Sequence, residues 1–203
     1  VSAHKREVLD RWDDIHTADH VGTGKSLYVG NVALHDNVNK AGTKYTLKDK
    51  TRGKHYMVDM NNGTNVETTY VGPDSIWGNN LESSDETVAA DAAYGQNMTW
   101  DYFKNVHGRN GIFNDGRGLR SRVHYASNYD NAFWDGSSMT YGDGSFFNPL
   151  VSVDVAGHEM AHGVTQSSAG LIGSGESGGL NEGTSDIFGT MVEYYANNAN
   201  DPG

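Results

Sequence analysis

The 203-residue chain carries 26 acidic against 15 basic residues, a formal charge of −11, and 26 glycines, nearly twice the usual share of about 7%. That balance leaves no basic face for nucleic acid or an anionic membrane. The absence of cysteine excludes disulfides, zinc fingers and thiol nucleophiles. No apolar run approaches the ~18 residues of a membrane span, and with 36% apolar residues a packed core is feasible in one domain or two small ones. The chain opens without a charged-then-apolar leader, so any secretory signal is expected to have been removed or never to have been present.

Residues 1–20, VSAHKREVLDRWDDIHTADH, are charged and weakly apolar, unlike the glycine-punctuated stretch that opens at Val21-Gly22-Thr23-Gly24. From there to Gly72 the pattern is extended. Residues 27–34 are a β-rich run, Tyr56, Val58 and Met60 alternate with polar neighbours, Asn61-Asn62-Gly63 is turn chemistry, and 66–71 reads as another strand. Over 86–106 the period becomes helical through Val88, Ala92, Trp100, Phe103 and Val106, with Asp85 as cap. Strands return over 119–141, where Val123 and Tyr125 alternate with Arg122 and His124. Asp135-Gly136 there predicts a hairpin joining Ala132-Phe133-Trp134 to Met139-Thr140-Tyr141. A helix is expected over 150–166 with Val151, Val155 and Val164 inward, then a loop over 173–179. The last helix, 180–197, carries one apolar stripe of Ile187, Phe188, Met191, Val192 and Tyr195. The expected class is α+β. Its divisions are a separate segment over 1–20, a β-rich unit with one helix over 21–150, and two helices over 151–203.

His158-Glu159-Met160-Ala161-His162 falls inside the helix expected over 150–166. Positions four apart on a helix sit about 40° from each other, one turn up the same face. His158 and His162 can therefore aim two ring nitrogens at one ion ~2.0–2.1 Å away. Glu159 lies about 100° round from His158, beside such an ion and not obliged to bind it, where a general base for water belongs. Two histidines four apart on a plain surface helix would give the same letters. The next helix adds weight, because Leu180-Asn181-Glu182-Gly183-Thr184-Ser185-Asp186 sets two carboxylates four apart at its start, with Glu193 close to the same stripe. One carboxylate can complete a His₂Glu set, the pattern of catalytic zinc, and Asp186 can accept the free N–H of a liganding histidine. The position of these carboxylates beside an apolar stripe suggests a buried ion. No histidine follows His162, so a third protein ligand is a carboxylate or comes from earlier in the chain.

Two segments, Val153-Asp154-Val155-Ala156-Gly157-His158-Glu159-Met160-Ala161-His162-Gly163-Val164-Thr165 and Glu176-Ser177-Gly178-Gly179-Leu180-Asn181-Glu182-Gly183-Thr184-Ser185-Asp186-Ile187-Phe188-Gly189, resemble the thermolysin-like zinc metalloendopeptidases. The resemblance extends over 22–203 and includes Asn131-Ala132-Phe133-Trp134 and Tyr141-Gly142-Asp143-Gly144. It implies a secreted peptidase, made as a zymogen, that cuts internal bonds of peptides and proteins. It also implies zinc on His158, His162 and Glu182, Glu159 as base, and Asp186 and Asn181 as hydrogen-bond partners of the two histidines. Asn131, with the Ala132 and Trp134 backbones, would pair with an extended substrate as an added strand; by residue pattern alone Asn131 reads as a turn residue. Calcium is implied on Asp154, Glu193 and Asp201, and the acidic charge supports a hard cation independently.

Residues 1–20 resemble the tail of the family's propeptide and its linker. Family members carry a further helical C-terminal half, with a histidine for the tetrahedral intermediate, which this chain is expected to lack. The tyrosine usual near the oxyanion is Gly173, Ala93 stands where a histidine is common, and Ile76 where a calcium-binding side chain can occur. Three functions compete: a zinc endopeptidase, a zinc- and calcium-binding fragment that turns over little without a C-terminal half, and a peptide-binding module using the Asn131 edge alone. The expected partners are a peptide substrate and a separate C-terminal chain or propeptide, with no nucleic acid and no membrane.

Overall fold

The computed structural model describes residues 17–201; the propeptide-like reading of residues 1–16 lies outside them. The elements are β1 (Ala18–Lys25), β2 (Asn31–Val38), β3 (Tyr45–Thr46), β4 (Lys48–Asp49), β5 (His55–Asp59), β6 (Thr68–Thr69), β7 (Val71–Gly72) and β8 (Ile76–Gly78). They continue with α1 (Asp85–His107), β9 (Arg120–Val123), β10 (Ala132–Trp134), β11 (Ser138–Tyr141), α2 (Val153–Gln166) and α3 (Gly175–Ala196). Two mixed sheets, ordered β7-β3-β2-β1-β8 and β10-β11-β9-β5-β4, pack with the three helices into the α+β class expected, β6 joining β5. No helix among the described residues is long and apolar enough to cross a membrane.

The core forms around α1. Its alanines Ala89, Ala90, Ala92 and Ala93 are buried and let strands and α2 approach closely, while Trp77, Phe103, Ile112, Met139 and Met160 fill the space between layers. Burying each such side chain contributes roughly 1.5–3 kcal/mol.

Several expected boundaries move, each for a tertiary reason. The β-rich run over 27–34 becomes strand only at Asn31. Ahead of it, Gly30 is left-handed (φ 72°) and the Leu27 and Tyr28 N–H groups donate to the Asp91 carboxylate at 2.6 and 3.2 Å. The single strand expected over 66–71 is two: β6 pairs with β5, and β7 pairs with β3 in the other sheet. Ser84 precedes α1 and Asp85 is its first residue, so Asp85 favours the positive helix end without capping it. Alternation stops at Val123, because His124 turns left-handed at φ 54°. The helix expected from 150 begins at Val153, and Val155 is only half-buried. The glycine-rich loop expected over 173–179 ends at Ser174, since Gly175 already opens α3 against α2. The division drawn between residues 20 and 21 falls inside β1.

The turn at His124 buries a charge. The residue is 6% exposed, Nδ1 lies 2.8 Å from Asp143 Oδ2, and Nε2 lies 3.0 Å from the Asp85 carbonyl oxygen. Both ring nitrogens face acceptors, so both carry hydrogen. Burial by itself pushes the imidazole down, but Asp143 and the Asp85 carbonyl outweigh it and hold it up at about 9. A raised value means that the stabilisation is full below the ordinary 6.5 and is lost as pH rises through about 9. At 1.36 kcal/mol per pH unit this is on the order of 3 kcal/mol. Urea unfolding at pH 6.5 and pH 10 should show a loss of about that size, and the loss should shrink markedly in His124→Gln.

Candidate active site

Helix α2 forms because Val153, Ala156, Met160, Ala161 and Val164 repeat at helical spacing and are buried on its inner side. His158 and His162 share the side that meets α3. Two glycines set how near that helix comes. A Cβ on Gly189 would lie 2.5 Å from the Asp154 carbonyl oxygen and 3.2 Å from the His158 nitrogen, and one on Gly157 would lie 3.0 Å from Gly189 Cα.

At that separation three ligand atoms converge. The Nε2 atoms of His158 and His162 are 3.0 Å apart, and Glu182 Oε2 is 3.3 and 3.5 Å from them. His158 Nδ1 donates to Asp186 Oδ1 at 2.8 Å and His162 Nδ1 donates to Asn181 Oδ1 at 2.9 Å. The Asn181 amide is oriented by its own N–H donation to the Leu171 carbonyl at 3.3 Å. With hydrogen on each Nδ1, a neutral ring presents a lone pair at Nε2. Lone pairs with no proton among them repel unless a cation joins them. Tetrahedral ligands at 2.0–2.1 Å from zinc stand about 3.3 Å apart, so the donor set and its spacing fit zinc. Glu182 and Asp186 are 62% and 73% exposed, so the ion position opens to solvent on the α3 side and is not the buried one their apolar neighbours suggest.

Glu159 is buried beside this cluster. Burial pushes its carboxyl up to about 7; His162 and the Trp134 N–H pull it down, and Glu182 pushes it up. Clefts of about 360 and 460 Å³ flank the histidines, and Asn131 and Ala132 line both. Among the described residues β10 ends its sheet, so its outer row of backbone groups has no strand partner, and of that row the Trp134 backbone N–H turns to Glu159. Asn131 immediately precedes β10 and is tied back by Gly142 N–H to its carbonyl at 3.0 Å. Trp134 lines the larger cleft, its indole N–H donating to Gln166 Oε1 at 2.8 Å.

Asp154, Glu193 and Asp201 form a second acidic group, looser than the histidine cluster. Burial, Asp154 and Asp201 push Glu193 up, and burial and Asp154 push Asp201 up. Asp201 Oδ2 is buried with no partner among the described residues, an orphaned oxygen that fits a hard cation.

Three contributors escape sequence reasoning. Ser185 Oγ sits 3.2 Å from His162 Nδ1 and was findable, since it stands four residues after Asn181 on the same helix face. Gln166 and the Gly157–Gly189 pair act across elements and leave no local signal.

Residues 21–166 match the family described as thermolysin metallopeptidase, catalytic domain, and residues 169–202 match the thermolysin metallopeptidase alpha-helical domain. A transglutaminase-activating metalloprotease of Streptomyces mobaraensis is 53% identical over 185 residues, which cover 90% of this chain and 24% of that protein. A thermolysin of Alicyclobacillus acidocaldarius subsp. acidocaldarius is 37% identical over 215 residues, covering 97% of this chain and 38% of that one. Among solved structures, the precursor of protealysin, a metalloproteinase from Serratia proteamaculans, superposes with a TM-score of 0.59 at 35% identity. That match covers 70% of this chain and 43% of the other. The chain spans 24% to 38% of the length of these two curated relatives.

The helix spacing is testable without an assay of turnover. Gly189→Ala should force α3 off α2, cost about 1–3 kcal/mol by overpacking, and weaken zinc retention against a chelator at least tenfold. Unchanged retention would mean that the helices reach this distance without the glycine.

Proposed function

The chain belongs to the thermolysin family of metallopeptidases, and from that premise we propose that it forms the metal-binding and base-bearing part of a zinc endopeptidase. The observation that carries the reading is the convergence of three lone pairs from His158, His162 and Glu182 beside the buried Glu159. When bound, zinc polarises a carbonyl and makes water acidic enough to attack it near neutral pH. The chain's own groups do the rest. Asp186 and Asn181 keep hydrogen on each Nδ1 and hold both rings in line. The free edge of β10 takes the substrate as an extended strand along Asn131, Ala132 and Trp134. Glu159 removes a proton from water as its oxygen adds to the peptide carbon, then delivers that proton to the amine nitrogen as the C–N bond breaks.

Asp154, Glu193 and Asp201 hold calcium in this reading. Its corollaries are export from the cell and a propeptide origin for the residues ahead of β1. The β-rich unit then runs from Ala18 to residue 150, and 151–203 open the helical one. A second reading is favoured by the apolar side chains that α3 exposes, Leu180 at 60%, Ile187 at 65% and Met191 at 42%. Under it the 203 residues bind metal but turn over little until a helical C-terminal half covers that face. Cleavage of an internally quenched peptide with and without such a half from a relative separates the two readings.

His158→Ala should lose zinc. Glu159→Gln should keep zinc and lower kcat by roughly 10²–10⁴; zinc loss in that variant would make Glu159 a ligand and end the mechanism. Millimolar calcium should raise the melting temperature, the added stability reaching ~2.7 kcal/mol at a hundredfold excess over Kd. Glu193→Gln should abolish most of that rise, and a parent chain indifferent to calcium would remove the site.

A further inference from the structure

We propose a second transition-metal site, sharing no residue with the first, on the outer face of the β1–β2 hairpin where β4 folds over it. Its ligands are Asp19, His35 and Asp49, with the side-chain oxygen of Asn37.

In the antiparallel register Asp19 stands opposite Asn37. His35 is two residues from Asn37 along β2, so all three side chains leave one face of the sheet. Strand β4 packs on β2 and brings Asp49 to that face. One ligand atom from each of Asp19, His35 and Asp49 lies within 4.8 Å of the others, and His35 Nδ1 is 3.0 Å from Asp19 Oδ2. Asn37 is 4% exposed, and its Oδ1 is buried with no hydrogen-bond partner among the described residues. A buried amide oxygen without a donor, on the same face as Asp19 and His35, is unfavourable for the bare chain. A cation that accepts all these oxygens removes that cost.

The charges agree. Asp49 is held by Arg52 at 2.6 Å, but the same guanidinium also holds Asp101 at 2.6 Å. Two carboxylates thus share one guanidinium, and Asp19 adds a further negative charge beside His35, which suits a divalent ion. Lys50 directs its ammonium to Thr17. His55 stands opposite Asp49 in the β4–β5 register but is not a ligand. Its Nδ1 lone pair accepts the Leu119 N–H at 3.0 Å, so its hydrogen is on Nε2 and the ring can only donate there. One imidazole with carboxylate and amide oxygens suits a first-row divalent ion such as zinc better than calcium. Asp19 and His35 remain 36% and 28% exposed, which gives the ion a way in. Because β2 and β4 belong to different sheets, the ion would clamp one sheet to the other.

The test counts zinc. The full chain, in saturating calcium, is equilibrated with zinc chloride, passed over a desalting column and analysed for zinc per folded chain. Two equivalents are expected in the parent, and one each in His35→Gln and His158→Ala. Added zinc should raise the melting temperature less in His35→Gln than in the parent, and should still raise it in His158→Ala, where only the second site remains. Zinc content unchanged by His35→Gln, or reduced to none by His158→Ala alone, overturns the site. If His35→Gln does not fold, Asp19→Asn on the neighbouring strand β1 gives the same reading, with at least a tenfold loss of second-equivalent affinity expected.

Discussion

Where Gly157 meets Gly189, α2 and α3 lie so close that a methyl group on either glycine would strike the backbone of the other helix. The metal-binding half of the candidate active site follows from that separation. It brings Asn181, Glu182 and Asp186 within reach of two histidines one helical turn apart. It also forces the Nε2 lone pairs and the Glu182 oxygen together with no proton between them. Such an arrangement is unfavourable for the bare polypeptide and favourable once a cation joins it, so part of the binding energy of a metal is stability of the helix pair.

Helix α2 has two working sides. One presents imidazoles to α3; another packs against β10, so that the base Glu159 lies between the metal-binding face and the strand edge. Gln166 at the end of the same helix anchors the Trp134 indole. The strand that would hold a peptide and the groups that would act on it are thus referred to one rigid helix, which is how a reacting carbonyl is kept in register with its base. Burial is divided along the same line: Glu159 is enclosed, while Glu182 and Asp186 stand in solvent on α3. The apolar stripe expected on α3 divides too. Val192 is fully buried against the core, and Ile187 and Met191 are exposed.

Much of the site is legible in the chain. His158, Glu159 and His162 can be placed from a 3.6-residue period alone, and the carboxylates of the following helix from their own spacing. The contacts of Asn181 and Asp186 with the two rings join residues 19 and 28 positions apart, and for Asn181 only the family resemblance points to one. The α+β class and the 132–141 hairpin follow from alternation and from Asp135-Gly136. These are local features, in which neighbours in sequence are neighbours in space.

Everything that depended on distant partners needed the tertiary structure. The extended residues around Tyr70 read as one strand, yet they divide between two sheets because their partners, β5 and β3, are elsewhere in the chain. The run of glycines before Leu180 looks like a loop, yet it becomes the first turns of α3 once α2 supports it. Asn37 gives no local signal, and only in the folded chain is its oxygen buried without a donor among the described residues. The sequence by itself determined which side chains share a face, since backbone period is a property of adjacent residues. Only the tertiary structure decided which faces meet, and so which lone pairs, charges and strand edges are left for a ligand, because those contacts join residues that no local pattern connects.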